Sequence, residues 1–158
     1  MADIILPVTE EDYLKGGKFV TFPPNAKVGD TLYRNIEIGM VDWDTPGVSM
    51  KVPVTVTDEG IDLGKEDKVS FGVKPGGIWK GREIHLAITG EEMPVKKGSD
   101  GRKHPSIDPM ALVGKPAVGM WQMTSGKKGG VGETVTYPKL LAIFPAGYKP
   151  SEQDELGV

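Results

Sequence analysis

No cysteine occurs among the 158 residues, and histidine occurs only twice, at His85 and His104. The first absence excludes disulfides, thiolate metal sites and thiol nucleophiles. The second leaves too little material for a catalytic triad or a histidine-rich metal centre. Aromatic residues make up 7% of the chain, and no apolar run approaches the roughly 20 residues that a membrane-spanning helix needs. The opening stretch Met1-Ala2-Asp3-Ile4-Ile5-Leu6-Pro7 has no basic segment and its apolar run stops at a proline, so it does not read as a signal peptide. The expectation is a chain with no membrane association, in a reducing compartment such as the cytoplasm.

Turn-formers, by contrast, are plentiful. With 22 Gly and 13 Pro beside 38% apolar and 26% charged residues, the composition favours many short strands over long helices. The length suits a single core-bearing domain. It is expected to cover residues 1–147 and to be followed by a flexible acidic tail, 148–158, with too little apolar content to pack.

The net charge of −3 conceals a polarity along the chain. Residues 1–67 hold 6 Lys/Arg against 13 Asp/Glu, residues 68–149 hold 13 against 6, and residues 150–158 hold none against 3. An anionic partner should therefore meet the middle and C-terminal half, unless the two halves neutralise each other in the fold.

The clearest period is Val48-Ser49-Met50-Lys51-Val52-Pro53-Val54-Thr55-Val56-Thr57, apolar at every even position, which predicts a half-buried strand. Pro53 cannot donate to a ladder, so the strand is expected at an edge or with a bulge there. Ile36–Met40 alternates likewise, and Asp44-Thr45-Pro46-Gly47 joins the two as a hairpin. Short strands are also expected over 16–22 and 69–73, with loops at 58–60 and 64–67. Partial helical spacing from Ile78 to Ile88 predicts one short helix ending at Gly90. Residues 91–106 read as an exposed loop, and Asp108-Pro109-Met110-Ala111-Leu112 as a capped helical turn. Strands follow over 115–124 and 134–144, joined by a basic, flexible hairpin loop from Ser125 to Gly132.

Catalytic chemistry is hard to assemble from these residues. His85 reads as a packing residue and His104 as a solvated loop residue. The acidic group Asp58, Glu59, Asp62, Glu66 and Asp67 lacks the spacing of a calcium loop and reads as a solvated turn. Asp42 and Asp44 flank Trp43 without a third group to work with. Lys127 and Lys128 sit in a glycine-rich loop, but they lead into a strand and not into the helix that a nucleotide-cradling loop requires. The expectation is no enzyme, no catalytic residue, no metal and no cofactor.

Binding is the stronger reading. Lys96, Lys97, Arg102 and Lys103 share one loop and Lys127 and Lys128 another, both next to strands carrying Trp121 and Tyr137. Basic loops neutralise phosphates while exposed rings stack on unpaired bases. Alternation puts Ala117, Gly119, Trp121 and Met123 on one face and Val118, Met120 and Gln122 on the other, without saying which is wet.

In order along the chain come a Gly-Lys-Phe strand, a hairpin followed by Val69-Ser70-Phe71, and Trp79 before the run Ile84 to Gly90. A polar insert, Leu112-Val113-Gly114-Lys115-Pro116-Ala117-Val118 and Tyr137-Pro138-Lys139-Leu140-Leu141-Ala142-Ile143-Phe144-Pro145 complete the pattern. This order, spanning about residues 17 to 145, resembles small phage and mobile-element single-stranded DNA-binding proteins. The resemblance implies a Greek-key oligonucleotide-binding (OB) barrel, sequence-independent grip on single-stranded DNA, and partners from replication or recombination. On the binding reading, Lys96, Lys97, Arg102, Lys103, Lys127 and Lys128 are expected to contact phosphates, and Trp43, Trp121 and Tyr137 to stack on bases. The tail departs from the family's pattern: it ends Asp154-Glu155-Leu156-Gly157-Val158, without an acidic run closed by an aromatic residue. Two rival readings remain open, a structural head, tail or decoration protein of a virion and a carbohydrate-binding β-sandwich using Trp43 and Trp121. The sequence leaves homo-oligomerisation undecided.

Overall fold

Val52, Val54 and Val56 are the reason the chain folds around the strand that carries them. All three are fully buried, and their spacing puts them on one face of a strand. The computed structural model describes residues 3–7, 19–127 and 134–150. Six strands form one sheet: β1 (Thr31–Ile38), β2 (Asp42–Thr45), β3 (Ser49–Val56), β4 (Glu66–Gly72), β7 (Pro116–Lys127) and β8 (Thr134–Pro145). A small hairpin, β5 (Val95–Lys97) with β6 (Lys103–Pro105), stands apart from it. Helix α1 spans Ile78–Thr89, and a single turn, α2, spans Pro109–Leu112.

The strand over 48–57 forms as expected, but in the middle of the sheet and not at its edge. One side of β3 pairs with β4, and the other pairs first with β2 (Trp43 opposite Met50) and then with β1 (Ile38 opposite Val54). Pro53 is tolerated there for a local reason. Gly39 N–H donates to Pro53 O at 2.8 Å, so the proline's polar side faces the junction where β1 has ended and β2 has not begun. No ladder donor is needed at that point. The turn after β2 is the one expected, with Val48 N–H donating to Thr45 O and Gly47 in the left-handed region at φ 73°.

The remaining pairs are β1 with β7 and β7 with β8, all antiparallel. Inward side chains of the sheet meet Ile84 and Ile88 of α1 in one core that includes Ile36, Phe71, Trp121 and Ile143. The fold is mainly β, as expected, but the sheet does not close into a barrel. Its outer strands, β4 and β8, flank a gap lined by both. Pro138 removes a donor from β8 at this gap, and Lys68, Lys80 and Lys139 crowd it with like charge.

Further expectations change. Ser125–Lys127 continues β7 and is not loop. Phe19–Phe22 is not a strand; Thr21 N–H donates to Asp62 Oδ1 and Phe19 O accepts from Lys65 Nζ, so side chains replace a ladder. Residues 91–106 are not a plain loop but carry the β5–β6 hairpin, closed by Gly98 N–H donating to Arg102 O. β4 begins at Glu66, inside what reads as a loop, because Thr55 of the central strand offers it a partner. Residues Gly16–Lys18, Lys128–Gly132 and the tail after Pro150 lie outside the described residues. Within the expected tail, the Tyr148 ring stacks on Phe144 at 4.3 Å between centroids.

Helix α1 appears where expected, stopped by Gly90 at φ 76°, whose N–H donates to Leu86 O. Its buried face is Gly81, Ile84, His85 and Ile88, the i, i+3, i+4, i+7 stripe of an amphipathic helix. Gly81 is there because a Cβ at that position would overlap the Phe71 ring. An exposed Gly→Ala change in a helix gains about 1 kcal/mol, whereas overpacking a core costs about 1–3 kcal/mol. Gly81→Ala is therefore expected to lower the urea midpoint. An unchanged or higher midpoint would mean that the ring moves aside freely.

Candidate nucleic-acid interface

The gap between β4 and β8 is a basic site. A cavity of about 450 Å³ is lined by Asp67–Ser70 from β4, Tyr137–Leu140 from β8, Lys80 from α1 and Phe19. Lys68 is held by Asp44 at 3.1 Å. Lys80 and Lys139 form no ion pair among the described residues. Burial pushes the Lys80 ammonium below its usual 10.5, and the positive charge of Lys139 pushes it the same way. The cavity's one carboxylate, Asp67, accepts from Trp121 Nε1 and from its neighbour's backbone N–H and is ion-paired to neither lysine, so an incoming phosphate would relieve the repulsion between the two cations. The Tyr137 ring, half-buried, lies in the same cavity.

A second groove continues along the same strand. Phe71 and Val73 line it, with Met50 and Trp43 on one wall and Met93, His104 and Ile107 on the other, enclosing about 490 Å³. Trp43 is 43% exposed. In the β5–β6 hairpin Lys96 stands opposite His104, which lines the groove, while Lys97 and Lys103 pair one residue along on the other face. Asp100 accepts from His104 Nε2 at 2.9 Å, and that bond, with Arg102 N–H, holds its carboxyl below the usual carboxylate range. His104 is exposed as expected, though on a strand. His85 is the packing residue anticipated, with Nδ1 2.7 Å from Glu91 O.

The structure thus divides the residues singled out from sequence. Trp43 lines the groove; Lys96, Lys97, Arg102 and Lys103 sit on the adjoining hairpin without lining it; and Tyr137 joins the lysines of the gap. Lys127 ends β7 at an arm where, beyond Met123, β7 and β8 pair only with each other, past the start of β1. That arm and the β5–β6 hairpin flank opposite ends of the bent β1–β2 strand, so the two lysine loops are not brought together. Lys128 lies outside the described residues. Trp121 is corrected outright: it is 1% exposed and its Nε1 donates to Asp67 Oδ2 at 2.8 Å. Gly119, where a Cβ would stand 2.8 Å from the indole, makes room for it. A buried indole stacks on neither bases nor sugars, which also removes one of the two platforms of the carbohydrate reading.

Sequence reasoning missed Lys80 and Lys139, which are isolated in the chain and meet only across the gap. It also missed the aromatic group of Tyr33, Phe144 and Tyr148 on β1, β8 and the turn beyond. The acidic turn is likewise not simply solvated: Asp58 accepts from Asn35 N and Nδ2, and Asp62 is buried in an ion cluster. Among the Lys/Arg ion pairs of the described residues, only Lys68–Asp44 joins the acidic N-terminal block to the basic one. The two halves therefore do not pair off their surplus charge.

Among the described residues, no helix is long and apolar enough to cross a membrane. No family model, curated protein or solved structure matches this chain.

Proposed function

We propose that this protein binds single-stranded DNA without regard to sequence and without catalysing a reaction, through the β4–β8 gap and the Trp43 groove that follows it. The observation that carries the reading is the pair Lys80 and Lys139, neither in an ion pair among the described residues, with the Lys80 pKa lowered first by burial and then by Lys139, beside Tyr137 in an open gap. The two cavities border successive stretches of β4, giving one track with phosphate-binding cations at one end and an exposed indole at the other. Single strands suit such a track because their bases are free to stack.

The strand order supports an oligonucleotide-binding barrel. With β1 and β2 taken as one bent strand, five strands run in the order β4-β3-β1-β7-β8, and α1 lies between β4 and β7. OB-folds are five-stranded, partly open Greek-key barrels. The cellular setting proposed with it is replication or recombination in the cytoplasm, in a host cell if the protein is phage-encoded.

Fluorescence anisotropy with a labelled oligothymidylate tests the reading. Affinity should fall as salt rises, with a log–log slope of about −0.7 per phosphate contacted. Lys80→Gln/Lys139→Gln should bind more weakly with a correspondingly shallower slope. Binding should also weaken as pH climbs toward 10.5, because the lysines hold phosphate only when protonated and Lys80 loses its proton below that value. Absence of binding at low salt, or a double variant indistinguishable from the parent protein, ends the proposal.

A further inference from the structure

Two apolar features are not used by the DNA site. The first is the segment Asp3–Pro7, in which Ile4, Ile5 and Leu6 are 87%, 92% and 66% exposed. Three consecutive large apolar side chains in water form a binding element in search of a surface. The second is a groove of about 650 Å³ between α1 and β8, walled by Trp79, Ile84 and Ala87 on the helix and by Met120 and residues 141–145 on the sheet. Trp79 is 57% exposed at its mouth.

Five consecutive residues of β8 line this groove. Successive side chains of a strand point to opposite faces, so five in a row can border one cavity only where it runs along the strand's edge. Among the described residues β8 pairs with β7 alone, and its other edge offers free N–H and C=O groups beside the groove. An apolar trough with a free strand edge is the receptor for an added strand. Ile4-Ile5-Leu6 is an apolar tripeptide of the right chemistry, its isoleucines β-branched. Asp3 precedes it, and Lys80, a cation with no ion pair among the described residues, lines the groove.

We propose that the Asp3–Leu6 segment of one copy adds as a short strand to the β8 edge of a second copy, with its apolar side chains in the α1–β8 groove and Asp3 at Lys80. Within a single chain the segment stays exposed. Exchange about a two-fold axis is reciprocal, so two arms and two grooves are covered at once. This inference rests on the arm and the free edge and shares only Lys80 with the DNA reading.

Light scattering and sedimentation across a range of concentrations test it. The full chain should shift from monomer to dimer, and Ile4→Asp/Leu6→Asp should remain monomeric with an unchanged melting temperature at low concentration. Because the chain has no cysteine, an Ile5→Cys chain mixed with a Leu141→Cys chain should form a disulfide-linked heterodimer under mild oxidation. The same arm variant mixed with Val28→Cys, at an exposed site before β1, should cross-link far more slowly. A full chain that stays monomeric, a double variant that still dimerises, or equal cross-linking to both positions overturns the proposal. So does an Ile5→Cys/Leu141→Cys chain that closes internally at high dilution, since the arm then sits on its own groove. The Ile4→Asp/Leu6→Asp variant should keep its salt-dependent oligonucleotide affinity, which separates failure of this inference from failure of the DNA reading.

Discussion

Asp62→Ala should destabilise the fold by about 3–5 kcal/mol, the cost of stranding one member of a buried ion pair. Asp62 is 3% exposed, and its oxygens accept from Thr21 N and Oγ1, each at 2.9 Å. They also meet Lys65 Nζ at 3.0 Å and Arg34 Nε at 3.2 Å. Removing the carboxylate leaves the Lys65 ammonium, itself buried, with the Phe19 carbonyl and the Thr21 hydroxyl and no counter-charge. It also frees the Phe19–Phe22 segment, which has no ladder of its own. Against a typical total stability of about 5–15 kcal/mol, the loss should show as a large drop in the denaturant midpoint. A change of under about 1 kcal/mol would show that water takes the place of the carboxylate.

The same residue sets an acid limit. Burial alone would raise the Asp62 pKa, but hydrogen bonds from Lys65 and Thr21 outweigh it and hold the carboxyl below 3.8. A carboxylate whose folded pKa is depressed contributes stability that is complete above its unfolded value. That contribution is lost as pH falls through the folded one. Stability of the parent protein should therefore decline below about pH 3.8, and Asp62→Ala should flatten that part of the curve.

Trp121→Ala should cost a comparable amount, about 3–5 kcal/mol for emptying a large aromatic site in a packed core. Trp121→Phe is the informative companion. It keeps most of the ring and loses the Nε1 bond to Asp67, a change of about 1–3 kcal/mol. If Trp121 belongs to the core, Trp121→Phe should leave oligonucleotide affinity unchanged, while Trp43→Ala should reduce it. An affinity loss in a folded Trp121→Phe protein would return the indole to the binding surface.

Local pattern was a reliable guide wherever one short stretch determines the outcome. Alternation at Val52, Val54 and Val56 needs only the two-residue period of a strand. The Asp108 cap accepting from Met110 N and the Gly90 stop need only their own turns. Alternation also grouped Trp121 correctly with Ala117 and Gly119, but a period says which residues share a face and never which face is dry. The same limit explains Pro53, where the proline's place depends on a strand break contributed by Gly39–Val41.

The chain alone determined that strands dominate, that one helix runs from Ile78 to Gly90, that thiol chemistry is impossible, and that positive charge gathers after residue 67. These follow from composition and from interactions within a turn or two. Only the tertiary structure decided which charges are free and which rings are wet. Lys80 and Lys139 are far apart in sequence, and they become one site because α1 and β8 meet across the β4–β8 gap. Trp121 left the surface because Asp67 satisfies its indole N–H from another strand, so that the ring could be buried without leaving a polar group unpaired. Electrostatic repulsion and desolvation act through space, and their pairings arise only when distant segments pack together.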